Sequence, residues 1–75
     1  MLLLQKKSEN VIIPRVVVET AEEAKSEIEK LNLKVETIQE ESDFIEKGYV
    51  LRQEPIYNTT VEEGTTVELY VSMGQ

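Results

Sequence analysis

Between Gly64 and Gly74 the apolar residues Val67, Leu69 and Val71 alternate strictly with Thr66, Glu68, Tyr70 and Ser72. A period of two is that of a strand with one buried and one wet face, and a slip of one residue would turn the whole apolar row into water. This strand therefore needs an apolar partner layer. Glu62-Glu63-Gly64 precedes it, with Gly64 free to take positive φ and reverse the chain.

The partner layer is legible upstream. Thr20-Ala21-Glu22-Glu23 is a capping box, in which the Thr20 hydroxyl accepts from the amide of Glu23 and the Glu23 carboxylate reaches back to the amide of Thr20. Ala24, Ile28 and Leu31 then fall on one helical face, with Glu22, Lys25, Ser26, Glu29 and Lys30 on the wet side. Asn32 tolerates the left-handed conformation that ends helices, so the helix is expected to stop at Leu31 or Asn32. Its stripe should pack on Val67, Leu69 and Val71.

Two further strands complete the sheet. Leu33 to Thr37 alternates apolar and polar, and Tyr49 to Gln53 is extended until Pro55, which cannot donate to a ladder. Val11-Ile12-Ile13 is held extended by Pro14, and Arg15 to Val18 should continue so. The fold class that follows is α+β, one helix packed on a small three-stranded sheet.

Composition removes most kinds of function. The 75 residues allow one domain, at the lower size limit for a core that is stable unaided. Without cysteine or histidine there is no disulfide framework, no usual zinc ligand and no neutral-pH base to activate Ser8, Ser26, Ser42 or Ser72, so no enzyme and no cofactor is expected. A formal charge of −7 opposes nucleic acid and anionic membranes. Met1-Leu2-Leu3-Leu4 is far short of the roughly 20 apolar residues of a membrane span and lacks the pattern of a signal peptide. Two origins fit: a cytosolic protein, or a segment of a longer exported one.

Glu40, Glu41, Asp43 and Glu46 crowd the loop before Lys47-Gly48, yet they lack the Asp/Asn ladder and central Gly of an EF-hand, so a solvated connection is expected and no metal site. Among Tyr49, Tyr57 and Tyr70, an exposed ring could grip the apolar part of a sugar or peptide stem; half-covering the core is the plainer use. Arg15 and Arg52 are the only arginines. A guanidinium suits bidentate capture of a carboxylate, against the plainer reading of a surface ion pair. Arg52 and Tyr70 are the candidate ligand residues on these chemical grounds.

Ile13-Pro14, Thr20-Ala21-Glu22-Glu23-Ala24, Gln53-Glu54-Pro55, the turns at Tyr57-Asn58 and Glu62-Glu63-Gly64, and the final strand before Gly74 together resemble a PASTA domain. That family is the small repeat of penicillin-binding proteins and of the extracellular side of bacterial serine/threonine kinases. The resemblance covers Val11 to Gly74, leaving Met1 to Asn10 as a linker or the end of a preceding repeat. Leu2 to Lys7 looks like such a repeat's closing strand. Asn58, Asn32 and the Val18-Glu19 pair stand where the family usually has Gly, and Arg15 stands where it has an acidic or amide residue.

The resemblance implies a non-catalytic module on the extracellular face of the cytoplasmic membrane, part of a membrane-anchored kinase or penicillin-binding protein, in tandem with neighbouring PASTA repeats. It further implies possible sensing of peptidoglycan fragments (muropeptides). The alternative is a structural spacer or protein-interaction repeat with no small-molecule ligand. The family's contacts form no fixed motif, so Arg52 and Tyr70 are not carried over from it.

Overall fold

The computed structural model describes residues 9–75; the reading of Leu2 to Lys7 as a closing strand lies outside the described residues. The elements follow as β1 (Asn10–Ile12), α1 (Ala21–Glu29), β2 (Lys34–Glu40), β3 (Val50–Glu54), β4 (Thr60–Glu62) and β5 (Thr66–Ser72). The architecture is α+β: α1 packs on a three-stranded sheet of order β2-β5-β3, and β1 and β4 form a separate two-stranded sheet. β5 is central, parallel to β2 with Val35 opposite Val67, and antiparallel to β3 with Gln53 opposite Leu69.

The expected faces are present. Val67, Leu69 and Val71 are buried with Ala24 and Ile28 of α1, and with Ile13, Val16, Leu33 and Val50; Leu31 and Val35 pack against this core from its edge. Thr20 caps α1 with its hydroxyl, accepting from the amide of Glu23 at 3.2 Å. The return bond from the Glu23 carboxylate is not among those formed; the chain on either side of Thr20 is tied to the stretch around Tyr49, Ala21 N–H donating to Gly48 O and Val50 N–H to Glu19 O, each at 2.9 Å. The helix ends two to three residues earlier than expected, at Glu29. Leu31 and Asn32 donate to Ile28 and Glu29 at 3.0 Å, bonds of the tighter 3₁₀ kind that close the last turn. Asn32 then takes φ 64°.

Three other boundaries differ from the sequence reading. β2 runs on to Glu40, into what reads as loop, because the parallel ladder with β5 extends to Ser72. β4 carries no alternation long enough to announce it; Val61 pairs with Val11, and both pack against the core. The extended run expected from Arg15 to Val18 breaks into a turn at Val17-Val18, where Glu19 N–H donates to the Val16 carbonyl at 3.2 Å and Val18 sits at φ 72°. Positive φ there is what a type II turn demands of its third residue. The clamp is β3: Val18 N–H donates to Val50 O at 2.8 Å, and Val50 N–H to Glu19 O at 2.9 Å.

Positive φ among the non-glycine residues described occurs at Val18, Asn32 and Asn58. Asn32 and Asn58 take this conformation at little cost, whereas a β-branched Val at positive φ is strained. Asn58 is further held by donating to Ile13 O at 2.8 Å.

Candidate functional site

How Arg52 comes to face outward is a matter of one residue. Val50 is opposite Val71 and Arg52 is opposite Tyr70, so Leu51 is an extra residue in the β3 ladder, a β-bulge. Strict alternation would send Arg52 to the same side as buried Val50. The bulge instead sends Val50 inward, Arg52 outward and Gln53 inward again.

On the outer face the Arg52 guanidinium lies over the Tyr70 ring, 3.7 Å from its centroid. Its Nη2 also donates to Glu40 Oε1 at 3.2 Å, an ion pair about half exposed on each side. The Tyr70 hydroxyl donates to Glu68 Oε1 at 3.2 Å. Desolvation, followed by the Glu68 carboxylate, holds the Tyr70 phenol above its usual value, against the opposite pull of Arg52. The two candidate residues of the sequence reading are thus direct neighbours, and the surface ion pair weighed for Arg52 is also present.

The register puts Ile38 beside Tyr70 on the β2 side. One step along the strands, Glu36, Glu68 and Glu54 stand opposite one another across β2, β5 and β3. Like charges facing across a ladder are unfavourable. The outer face therefore carries a row made of an apolar residue, an aromatic ring and a guanidinium, beside a row of carboxylates.

The other candidates lie elsewhere. Tyr49 is half-buried and lines a cleft of about 410 Å³ with Thr20, Gln39, Lys47 and Ser72. Tyr57 is exposed at the turn after Pro55, with the Arg15 guanidinium 5.9 Å from its ring centre. Among the described residues no three acidic side chains come together so as to hold a metal ion. Buried Gln53 was missed by sequence reasoning as anything beyond a strand residue. Its Oε1 accepts from Val16 N–H at 2.9 Å and its Nε2 donates to Pro14 O at 2.9 Å, which ties the irregular entry segment to the sheet.

A PASTA domain model matches residues 11–73. The chain belongs to the PASTA family. This PASTA domain is 50% identical over 66 residues to a probable serine/threonine-protein kinase of Clostridium perfringens, covering 88% of this chain and 10% of the kinase. It is 41% identical over 66 residues to a probable serine/threonine-protein kinase PknB of Lactococcus lactis, covering 87% of this chain and 10% of that one. The PASTA domain thus spans about a tenth of the length of the curated relatives it matches.

Solved structures agree. The extracellular region of the Ser/Thr kinase PrkC from Staphylococcus aureus is similar at a TM-score of 0.82 and 33% identity, covering 89% of this PASTA domain and 24% of that chain. A three-PASTA-domain structure of a Ser/Thr kinase from the same organism is similar at a TM-score of 0.80 and 32% identity, covering 88% of this PASTA domain and 32% of that chain. The second coverage is that of one repeat in three. Among the described residues no helix is long and apolar enough to cross a membrane.

Proposed function

We propose that this chain is a non-catalytic PASTA module of the extracellular region of a bacterial serine/threonine kinase, and that it recognises peptidoglycan stem peptides on the outer sheet face through Arg52 and Tyr70. The observation that carries the ligand reading is the Arg52 guanidinium stacked 3.7 Å from the Tyr70 ring centre, on a face that the fold leaves uncovered. Stacking keeps the guanidinium flat and preoriented, and a planar fork of this kind matches a carboxylate. Glu40 already occupies part of that fork, so an incoming carboxylate exchanges with it at little net gain. The Glu36, Glu68 and Glu54 row supplies a countercharge for an ammonium group on the same ligand. A stem peptide with both charges and an aliphatic body over Ile38 and Tyr70 uses every part of the face.

The test is an amide NMR titration of the domain with defined muropeptides, against the Arg52→Ala variant. Localised shifts at Arg52, Tyr70 and Glu40 in the parent, absent in the variant while its fold is intact, are expected. A flat spectrum at millimolar ligand, or unchanged affinity in Arg52→Ala, removes the ligand reading and leaves the second one, a spacer or interaction repeat. The net charge of −7 favours that second reading wherever the partner is an anionic wall polymer.

A further inference from the structure

The loop between β2 and β3 holds Phe44 93% exposed, the largest apolar exposure among the described residues. This loop is not loose. The Ser42 hydroxyl accepts from the amides of Phe44 and Ile45 at 3.2 and 3.0 Å, and the Ile45 carbonyl accepts from the Ser72 hydroxyl at 2.7 Å. Ser42 N–H donates to Gly74 O at 3.0 Å, Met73 N–H to Glu40 O at 2.9 Å, and Gly48 N–H to Ser72 O at 2.8 Å. The loop is sewn along the segment that follows β5, with a phenyl ring held clear of the core at its tip.

We infer that Phe44 and its acidic loop form the seat on which the lead segment of the following PASTA repeat docks, setting the angle between consecutive repeats. Two observations choose that occupant. Phe44, Asp43, Ile45 and Glu46 line a hollow of about 220 Å³ together with Gly74 and Gln75, so a chain continuing from this end is delivered to the hollow without a separate encounter. A similar solved structure holds three such repeats in tandem, the arrangement in which a following repeat stands at this end. The inference rests on reading the chain as one repeat of a tandem region and not on ligand recognition, so a negative muropeptide titration leaves it standing.

The experiment joins two copies of the chain, Gln75 of the first to Gln5 of the second, and reads ¹⁵N relaxation and small-angle scattering. The expected result is one correlation time shared by both domains. Phe44→Ala in the first copy should split it into two shorter ones and broaden the scattering distance distribution; the same change in the second copy should do neither. Because Phe44 packs on nothing in its own domain, the amide spectrum of the single-chain variant should otherwise match the parent. Independent tumbling in the parent tandem, a shared correlation time that survives Phe44→Ala, or concentration-dependent self-association of the single chain lost on Phe44→Ala would each overturn the proposal.

Discussion

The side-chain oxygen of Gln53, on β3, accepts from the backbone amide of Val16 at 2.9 Å, across a separation of 37 residues. Both residues are buried, and neither Val16 nor Pro14 belongs to a strand. One side-chain amide therefore completes a ladder that the backbone cannot make there, since the entry segment is bent by Pro14 and by the turn at Val17-Val18.

Gln53→Met keeps the volume and removes both hydrogen-bonding groups. It leaves the Val16 amide and the Pro14 carbonyl unpaired in the interior, at about 1–3 kcal/mol for each buried group. Chemical denaturation should show a loss of roughly 2–4 kcal/mol, a large share of what so small a domain has. A loss below about 1 kcal/mol would mean that water reaches these groups.

Val18→Gly should raise stability. A β-branched residue at φ 72° carries strain of about 1–3 kcal/mol, while the 53% exposed side chain contributes little packing. Glycine relieves the strain and costs about 1 kcal/mol of backbone entropy, leaving a gain on the order of 0.5–1 kcal/mol. Thermal unfolding should move up by a few degrees, roughly as expected for a domain of this size. A lowered midpoint would show that the Val18 side chain packs in a way its exposure does not reveal.

Stability should fall as pH rises from about 4.5 to 7. Glu19 Oε1 is sealed from solvent, and no amide, hydroxyl or cationic donor reaches it. Desolvation foremost, then the Glu27 carboxyl beside it and the charge of Glu23, push Glu19 up to about 7 from 4.5. Two carboxylates share a hydrogen bond only when one is protonated, so the folded state retains a proton that the unfolded chain has released. The resulting stability is complete below about pH 4.5, is lost as pH rises through 7, and does not return. Unfolding midpoints across this range should slope downward in the parent, and Glu19→Gln should flatten the slope. An unchanged slope in the variant would point to a different group.

Arg52 and Tyr70 should couple weakly. A double-mutant cycle of Arg52→Ala and Tyr70→Leu is expected to give about 0.5–1 kcal/mol, the usual worth of an exposed cation–π contact, and less in high salt. Zero coupling by denaturation would make the stack a consequence of the bulge alone, with no hold on the guanidinium.

The helix, the three main strands and the buried faces of α1 and β5 were legible because each follows one strong period or cap: Thr20 for the helix start, and Val67, Leu69 and Val71 for the sheet. Arg52 and Tyr70 could be named from chemistry. That they touch could not, because their meeting depends on Leu51 being an extra residue, and a bulge leaves no pattern in Tyr49-Val50-Leu51-Arg52-Gln53. β4 was hidden for a related reason: three residues are too few to show alternation, and half-buried Val61 pairs with Val11, fifty residues away in the chain. Glutamine at position 53 reads as an ordinary polar strand residue; only the tertiary fold brings it the unpaired groups of Pro14 and Val16.

The central strand of the sheet is also the last to be made. Until Thr66–Ser72 is available, β2 and β3 have no common partner, and α1 lacks the Val67, Leu69 and Val71 row it packs on; the three-stranded sheet cannot be assembled from its earlier strands alone. A chain emerging from its N-terminal end would therefore stay open until this strand is available and then close at once. In an array of similar repeats, the strand that closes one is for that interval free to enter the unfinished neighbour, so its order of emergence protects the correct pairing as much as its sequence does.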